Sequence, residues 1–236
     1  MAIIKSEAVI LKCDNYRETS KIITFFSKSH GKLKGIAKGV RSSKSRWGGA
    51  LQSMAYVNIM FYYKENGGLF LISNAEYEKS MPAIYDDFEK MEVGYRMIEL
   101  INRTTADHQE NANLFTLLVE SLDNLNAATK NYVNVLFNFE FRLIKILGFG
   151  MDLEMIFEGN LDKSNRNQYF YDTRFSEGDI KTLNMIGEGN FNSIMCLNIS
   201  KSQEITLEKF FEGYFRNHFE HIGFSKANRV FKSQHI

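Results

Sequence analysis

The sequence predicts an α+β protein in which an N-terminal five-stranded OB-fold barrel is followed by an α-helical domain. Two patterns predict it. Up to about residue 80, short runs rich in Ile, Val, Phe and Tyr alternate with polar or glycine-containing turns. Beyond Pro82, the single proline, apolar residues recur at spacings of three and four instead. A third pattern bears on function, because the positive charge is concentrated in the strand-forming part.

Residues 3–12 and 21–27 read as two strands, joined by the polar turn DNYRETS. In the next run Leu33, Gly35, Ala37 and Gly39 alternate with Lys32, Lys34, Ile36 and Lys38, so a strand here sets small residues on one face and most lysines on the other. Glycines inside a strand fit the coiling that a small closed barrel requires. SSKSRWGG then reads as a flexible basic loop, and 54–64 and 68–78 as two further strands about the turn ENGG. Five short strands in about 80 residues fit a small barrel of the OB type.

Three amphipathic helices follow. Residues 84–104 bring Phe88, Met91, Tyr95, Ile98 and Ile101 onto one stripe. Residues 111–127 do so with Leu114, Leu117, Leu118, Ser121 and Leu125, and 131–147 with Val133, Leu136, Phe137, Glu140, Phe141, Ile144 and Leu147. Ser121 and Glu140 are expected at partly exposed positions, and Gly148 and Gly150 end the third helix. Further on, 167–173 reads as a short strand, 175–186 and 191–197 as short helices, and 203–222 as a last helix capped by Thr206 and stopped by Gly223. The chain divides accordingly into a barrel domain (1–80), a helical domain (81–150) and a C-terminal region (151–236) whose last helix is expected to pack on the helical domain.

The formal net charge is +1, yet Thr19–Lys64 carries nine Lys and Arg and no carboxylate. Residues 1–18 balance at zero, so 65–236 carry −8 to bring the total from +9 to +1. A field of this kind attracts polyanions and speeds encounter with them. Within it, Gly31–Leu51 holds Lys32, Lys34, Lys38, Arg41, Lys44, Arg46 and Trp47. A basic face is often only a solvated face. The missing carboxylates and the interleaved Tyr16, Phe25, Trp47, Tyr56, Phe61, Tyr62 and Tyr63 favour a groove with stacking platforms for a nucleic-acid strand. Several of these rings must be barrel core, and Trp47 is either a base-stacking ring or a structural one.

Other chemistries find less support. Gly39-Val-Arg-Ser-Ser-Lys44-Ser45 lacks the second glycine of a phosphate loop and does not lie between a strand and a helix. His218 and His221 stand three apart on the last helix without a suitably spaced third ligand, which reads as a surface pair. No nucleophile–base–acid arrangement stands out, so no enzyme activity and no cofactor are expected. Apolar runs are only a few residues long, far short of the roughly 20 that span a bilayer. The N-terminus has no charged leader with a cleavage site and reads as mature from its first residue. Cys13 and Cys196 lie in apolar surroundings and are expected as free buried thiols, which places the chain in the cytoplasm.

Residues 7–52, EAVILKCDNYRETSKIITFFSKSHGKLKGIAKGVRSSKSRWGGALQ, resemble the N-terminal signature of the RecO family of bacterial recombination mediators. The likeness includes Tyr16, Glu18, Ser20, Lys21 and Ile22 of the turn, then HGK, AKGVR and SRWGGALQ. It continues more weakly through the helices, LGFGMDLE and FFEGYFRNHFE. The resemblance implies an OB-fold, a helical domain and, in many members, a C-terminal zinc site. It also implies binding of single- and double-stranded DNA and annealing of complementary strands. The implied partners are RecR and the C-terminal tail of single-stranded-DNA-binding protein, with RecA loaded indirectly, on the nucleoid in the cytoplasm.

Here LEMIFEGN occupies the place of the family's first CxxC pair, and no cysteine lies between Cys13 and Cys196. No zinc is expected; packing through Phe170, Phe175, Phe191 and Met195 takes its place. The resemblance sets the tail-binding site in the helical domain, where Arg142 and Lys145 beside Phe141 and Ile144 are the candidates, against ordinary surface charge. The alternative to a mediator is a stand-alone OB-type nucleic-acid-binding module.

Overall fold

The computed structural model describes residues 2–42, 45, 47–64, 67–148, 173 and 175–219. Five strands, β1 (Ala2–Tyr16), β2 (Ser20–Ser27), β3 (Gly31–Ala37), β4 (Tyr56–Tyr63) and β5 (Phe70–Lys79), close into a barrel in the order β1-β2-β3-β5-β4. All pairs are antiparallel except β3 with β5. Closure leaves no open sheet edge, which suits a chain whose strands are this apolar.

Strand β1 makes the closure possible. It is longer than its sequence pattern predicts, because Asp14, Asn15 and Tyr16 continue the ladder into what reads as a polar turn. Its first half pairs with β4 and its second with β2, and the register shifts between Ile10 and Lys12. A shift of this kind bends a strand enough to serve two neighbours. On β3, Gly35 lies where a Cβ would stand 2.7 Å from the Ile72 side chain and 3.1 Å from the Phe70 carbonyl. The parallel β3–β5 pairing that seals the barrel therefore needs a residue without a side chain there.

The interior is filled by Ala8, Ile10, Ile23, Phe25, Leu33, Ile59, Phe61, Phe70 and Ile72. Phe25 and Phe61 meet edge to face with ring centroids 5.4 Å apart. Each large side chain buried in this way contributes roughly 1.5–3 kcal/mol before the entropy of ordering it is set against the gain. The predicted alternation on β3 holds inside, with Leu33, Gly35 and Ala37 facing the core. Outside it needs correction at Lys32, as described below.

A short helix α1 (Pro82–Tyr85) opens with Pro82 at its first turn, and α2 (Phe88–Thr104), α3 (Ala112–Ala127) and α4 (Tyr132–Ile146) follow. Asp87 and Asn111 cap α2 and α3 through side-chain oxygens that accept from Lys90 N and Leu114 N. Gly148 follows α4 with a positive φ, while Gly150 lies outside the described residues.

The buried face of α2 differs from the expected stripe. Val93, Met97, Ile98, Leu100 and Ile101 are buried, whereas Phe88 and Tyr95 are about half exposed at 48% and 49%. Ser121 and Glu140, expected near solvent, are both 2% exposed. Glu140 enters the interior because Arg96 of α2 meets it there, Nε to Oε1 at 3.2 Å. Burying one of these charges without the other would be costly; paired, they are tolerated.

The chain forms two compact units, Met1–Met151 with Met185–Asn198, and Asp152–Asn184 with Ile199–Ile236. Helix α5 (Glu177–Glu188) contributes to both by sequence, and α6 (Phe191–Cys196) belongs to the first. In the first unit, buried Asn134 donates to the carbonyls of Ile194 and Leu197 at 2.8 Å, and Asn138 to Ile186 at 2.7 Å. These amides serve carbonyls at the C-terminal ends of α5 and α6, where intrahelical donors run out; Ile194 O also accepts from the Leu197 amide at 3.4 Å.

In the second unit α7 (Lys201–His218) is capped by Ser200 in a capping box with Gln203, not by Thr206, whose hydroxyl donates to Ser202 O. Leu207, Phe211 and Phe215 are buried, and Phe175 meets Phe210 edge on. The predicted strand at 167–173 and the stop at Gly223 lie outside the described residues, Thr173 excepted. Cys13 is partly buried, but Cys196 is exposed, because the last turn of α6 leaves it on the surface.

Candidate nucleic-acid interface

The barrel's outer surface has two kinds of lysine. On β3 the alternation points Lys32 and Lys34 outward, yet their fates differ. The segment after α2 runs alongside the start of β3, with His108 N donating to Lys32 O at 2.9 Å. Gly31 has φ +66°, and a Cβ there would lie 2.1 Å from the Gln109 carbonyl oxygen, so this close approach requires glycine.

Lys32 is therefore covered. Its Nζ donates to Asn102 O at 2.7 Å and Thr105 O at 2.6 Å and lies 3.3 Å from Asp107. The sequence alternation places it correctly on the outer face, but helix α2 occupies that part of the face, and its ammonium holds barrel to helix.

The remaining predicted cations separate in the same way. Lys34 is about half exposed, with Asp107 at 3.8 Å. Lys38 and Arg41 are exposed and form no ion pair among the described residues. Lys44 and Arg46 lie outside the described residues. Trp47 is half-buried and packs on the barrel core, beside the 3₁₀ turn Gly48–Ala50. Its ring thus supports the barrel wall.

Two basic residues serve structure instead. Lys21 donates to Leu51 O at 3.1 Å, and Lys28 pairs with Glu7 at 2.7 Å. The Lys28 ammonium and the hydroxyl of Tyr56 both donate to the Glu7 carboxylate and hold it below the ordinary carboxylate range.

The structure adds a residue that the charge window left out. The β1–β2 turn passes through Arg17 with φ +53°, and its guanidinium lies 5.2 Å from the centre of the Tyr16 ring. Arg41, far along the chain, donates from its backbone to Thr19 O at 3.0 Å and from Nη1 to Arg17 O at 3.1 Å. Tyr16, Arg17, Lys38 and Arg41 thus share one end of the barrel. Glu18 hides Arg17 from a search for carboxylate-free sequence; the Tyr-Arg pair inside a polar turn was the available signal.

In the helical part, Arg142 pairs with Glu120 and Lys145 with Glu188, each at 3.1 Å. Among the described residues no group of three or more His, Cys, Asp or Glu is placed to hold a metal ion. His218 stacks on Tyr214 at 4.2 Å and lies within hydrogen-bonding distance of its carbonyl at 3.0 Å, while His221 lies outside the described residues. No helix among the described residues is long and apolar enough to cross a membrane.

A closed five-stranded barrel of this strand order, followed by helices, defines an OB-fold protein with a helical extension. Comparison gives the family. The model of the recombination protein O N-terminal domain matches residues 1–81, and that of the C-terminal domain matches residues 85–226. The chain belongs to the recombination protein O (RecO) family.

Among similar proteins, the DNA repair protein RecO of Chloroherpeton thalassium is 32% identical over 150 residues, 64% of this chain and 58% of that protein. Its counterpart in Salinibacter ruber is 33% identical over 147 residues, 62% of this chain and 56% of the relative. That in Geobacter sulfurreducens is 34% identical over 151 residues, 64% of this chain and 61% of the relative. The matched stretch spans less than two thirds of each relative's length.

Proposed function

We propose that this chain is a non-enzymatic mediator of DNA repair and homologous recombination. It binds single- and double-stranded DNA, anneals complementary strands, and with RecR helps load RecA onto strands covered by single-stranded-DNA-binding protein. The observation that carries this is the exposed cation cluster of Lys34, Lys38 and Arg41, with Arg17 beside it, on a small barrel of a chain whose remaining charge is acidic. Membership of the RecO family and relatives named DNA repair proteins support the same conclusion.

The mechanism is neutralisation. Two strands repel each other through their phosphates; a basic surface that binds both lowers the repulsion, and complementary bases meet without nucleotide hydrolysis. The acidic remainder of the chain discourages coating of DNA and leaves other faces to protein partners. Arg142 and Lys145 remain the proposed contacts for the acidic tail of single-stranded-DNA-binding protein. Exposed ion pairs contribute only ~0–1 kcal/mol, so a tail carboxylate competes with Glu120 and Glu188 on nearly even terms. The protein acts in the cytoplasm, at the nucleoid.

The test is annealing of two complementary labelled oligonucleotides without ATP, with and without RecR and single-stranded-DNA-binding protein. Acceleration that survives coating of the strands supports a mediator. Binding without acceleration leaves a stand-alone module, and no binding at low salt rejects both.

A further inference from the structure

Residues 38–55 join β3 to β4 across the end of the barrel where Arg17, Lys38 and Arg41 stand. Strand directions bring other termini to the same end. β3 runs parallel to β5 and antiparallel to β2, so Ala37 and Lys79 close their strands where Ser20 opens β2 and Tyr16 ends β1. The joining segment fills this end from within: Val40, Ala50, Leu51 and Ala55 belong to the barrel core, and Trp47 packs against it. Lys38 and Arg41 stay exposed on its outer side.

Apolar packing sets which residues of the segment point inward, but its backbone carbonyls still need donors. Three side chains from three elements supply them at alternate residues. Lys21 of β2 donates to Leu51 O at 3.1 Å, and Tyr85 of α1 to Ser53 O at 3.0 Å. The third is Tyr77 of β5. It pairs with the core residue Val57 and so faces inward, yet it lies two residues from the strand's end, reaches past the core and is 45% exposed. Its hydroxyl donates to Gly49 O at 2.8 Å and accepts from Gln52 Nε2 at 2.9 Å. One hydroxyl thus spans both sides of Leu51 and clasps the segment to the barrel wall.

The clasp reaches the cations through short contacts. Gly48, next to Gly49, lies so close to the backbone between Lys38 and Arg41 that a Cβ on it would stand 2.4 Å from Val40 O. Gly48 N donates to Ser45 Oγ at 3.1 Å, and Ser45 N to Ser42 O at 2.9 Å. A cation held in place before its ligand arrives binds more tightly than one that must be ordered on binding.

We infer that Tyr77 is a positioning residue for nucleic-acid binding: its hydroxyl, with Gln52, holds the 38–55 segment so that Lys38 and Arg41 are in place before phosphate arrives. This rests on the DNA-binding function proposed above and adds an uncharged residue from outside the basic stretch.

The test is anisotropy of a labelled single-stranded oligonucleotide across a salt series. It compares wild type, Tyr77→Phe, Gln52→Ala, Lys38→Ala/Arg41→Ala, and that double variant combined with Tyr77→Phe. Ser73→Ala is the control, because it removes a hydroxyl of the same strand that donates to Met60 O at 3.3 Å. Thermal unfolding checks the fold of each. Tyr77→Phe weakens binding roughly two- to tenfold, the range of one hydrogen bond, and keeps the wild-type salt slope because no cation is lost. Gln52→Ala reproduces part of the loss, and Ser73→Ala none. Without Lys38 and Arg41, Tyr77→Phe causes no further loss, since the groups it positions are gone.

A folded Tyr77→Phe variant with wild-type affinity overturns the inference. So does an equal loss in Ser73→Ala, or an equal loss from Tyr77→Phe with and without the two cations. In each case DNA binding itself stands. Failure of the wild type to bind at low salt rejects the DNA-binding function, and the inference with it.

Discussion

Arg41 grips the turn that contains Arg17 at two points: its amide donates to Thr19 O at 3.0 Å, and its guanidinium to Arg17 O at 3.1 Å. Two loops separated by β2 and β3 are thereby fixed together, and the Arg17 guanidinium stands over Tyr16. If this end of the barrel meets phosphate, the two arginines act as a unit. Arg17→Ala and Arg41→Ala should each weaken oligonucleotide binding, and the double variant should lose less than the sum, with a coupling of about 0.5–1 kcal/mol. Strictly additive losses in a four-way anisotropy comparison would show that the loops act independently.

Lys32 and Lys38 look equivalent in sequence and should behave oppositely. Lys32→Met strands two carbonyl oxygens at the end of α2 and should destabilise the fold by roughly 1–3 kcal/mol in urea unfolding. The salt dependence of DNA binding should stay as in wild type. Lys38→Ala should leave the unfolding midpoint unchanged and reduce the single-strand salt slope by about 0.7.

The Arg96–Glu140 pair sits at 7% and 2% exposure between α2 and α4. Glu140→Leu alone leaves a buried guanidinium without its carboxylate and should cost about 3–5 kcal/mol. Arg96→Met together with Glu140→Leu should recover most of that loss. Chemical denaturation of the three proteins decides the matter; a double variant as unstable as the single one would show that the pair has no apolar substitute here.

The two thiols should differ in reactivity. Burial pushes the Cys13 thiol up to about 11, and its Sγ lies 3.5 Å from the Leu51 carbonyl. A raised value keeps the group as unreactive thiol until the pH approaches it, so at pH 8 Cys13 should resist iodoacetamide. Cys196 is exposed and should be alkylated first in a mass-spectrometric time course. Labelling of Cys13 at the same rate would mean that the barrel opens at that point.

The barrel was legible because short runs rich in Ile, Val, Phe and Tyr are separated by polar or glycine-containing turns, and Gly35 marks the seam where β3 meets β5. What strand periodicity cannot show is which outer face another element will cover. That is why Lys32 reads as a surface lysine and proves to be a tie to α2. The same limit explains Phe88 and Tyr95, which are spaced to share a helix face, while the buried face is set by Val93, Met97 and Leu100 and by the Arg96–Glu140 pair.

Long-range pairing was invisible for a related reason. Nothing local connects Arg41 to Arg17 until the closure of the barrel brings the two loops together. The basic stretch itself was plain, since charge composition needs no fold.

The most direct test of the central claim is the salt dependence of single-stranded oligonucleotide binding for wild type and Lys34→Ala/Lys38→Ala/Arg41→Ala. With about four phosphates neutralised, wild type should show a log–log slope of roughly −3, and the triple variant a slope shallower by about 2. A folded triple variant with the wild-type slope would contradict the account and place the DNA contact off this end of the barrel.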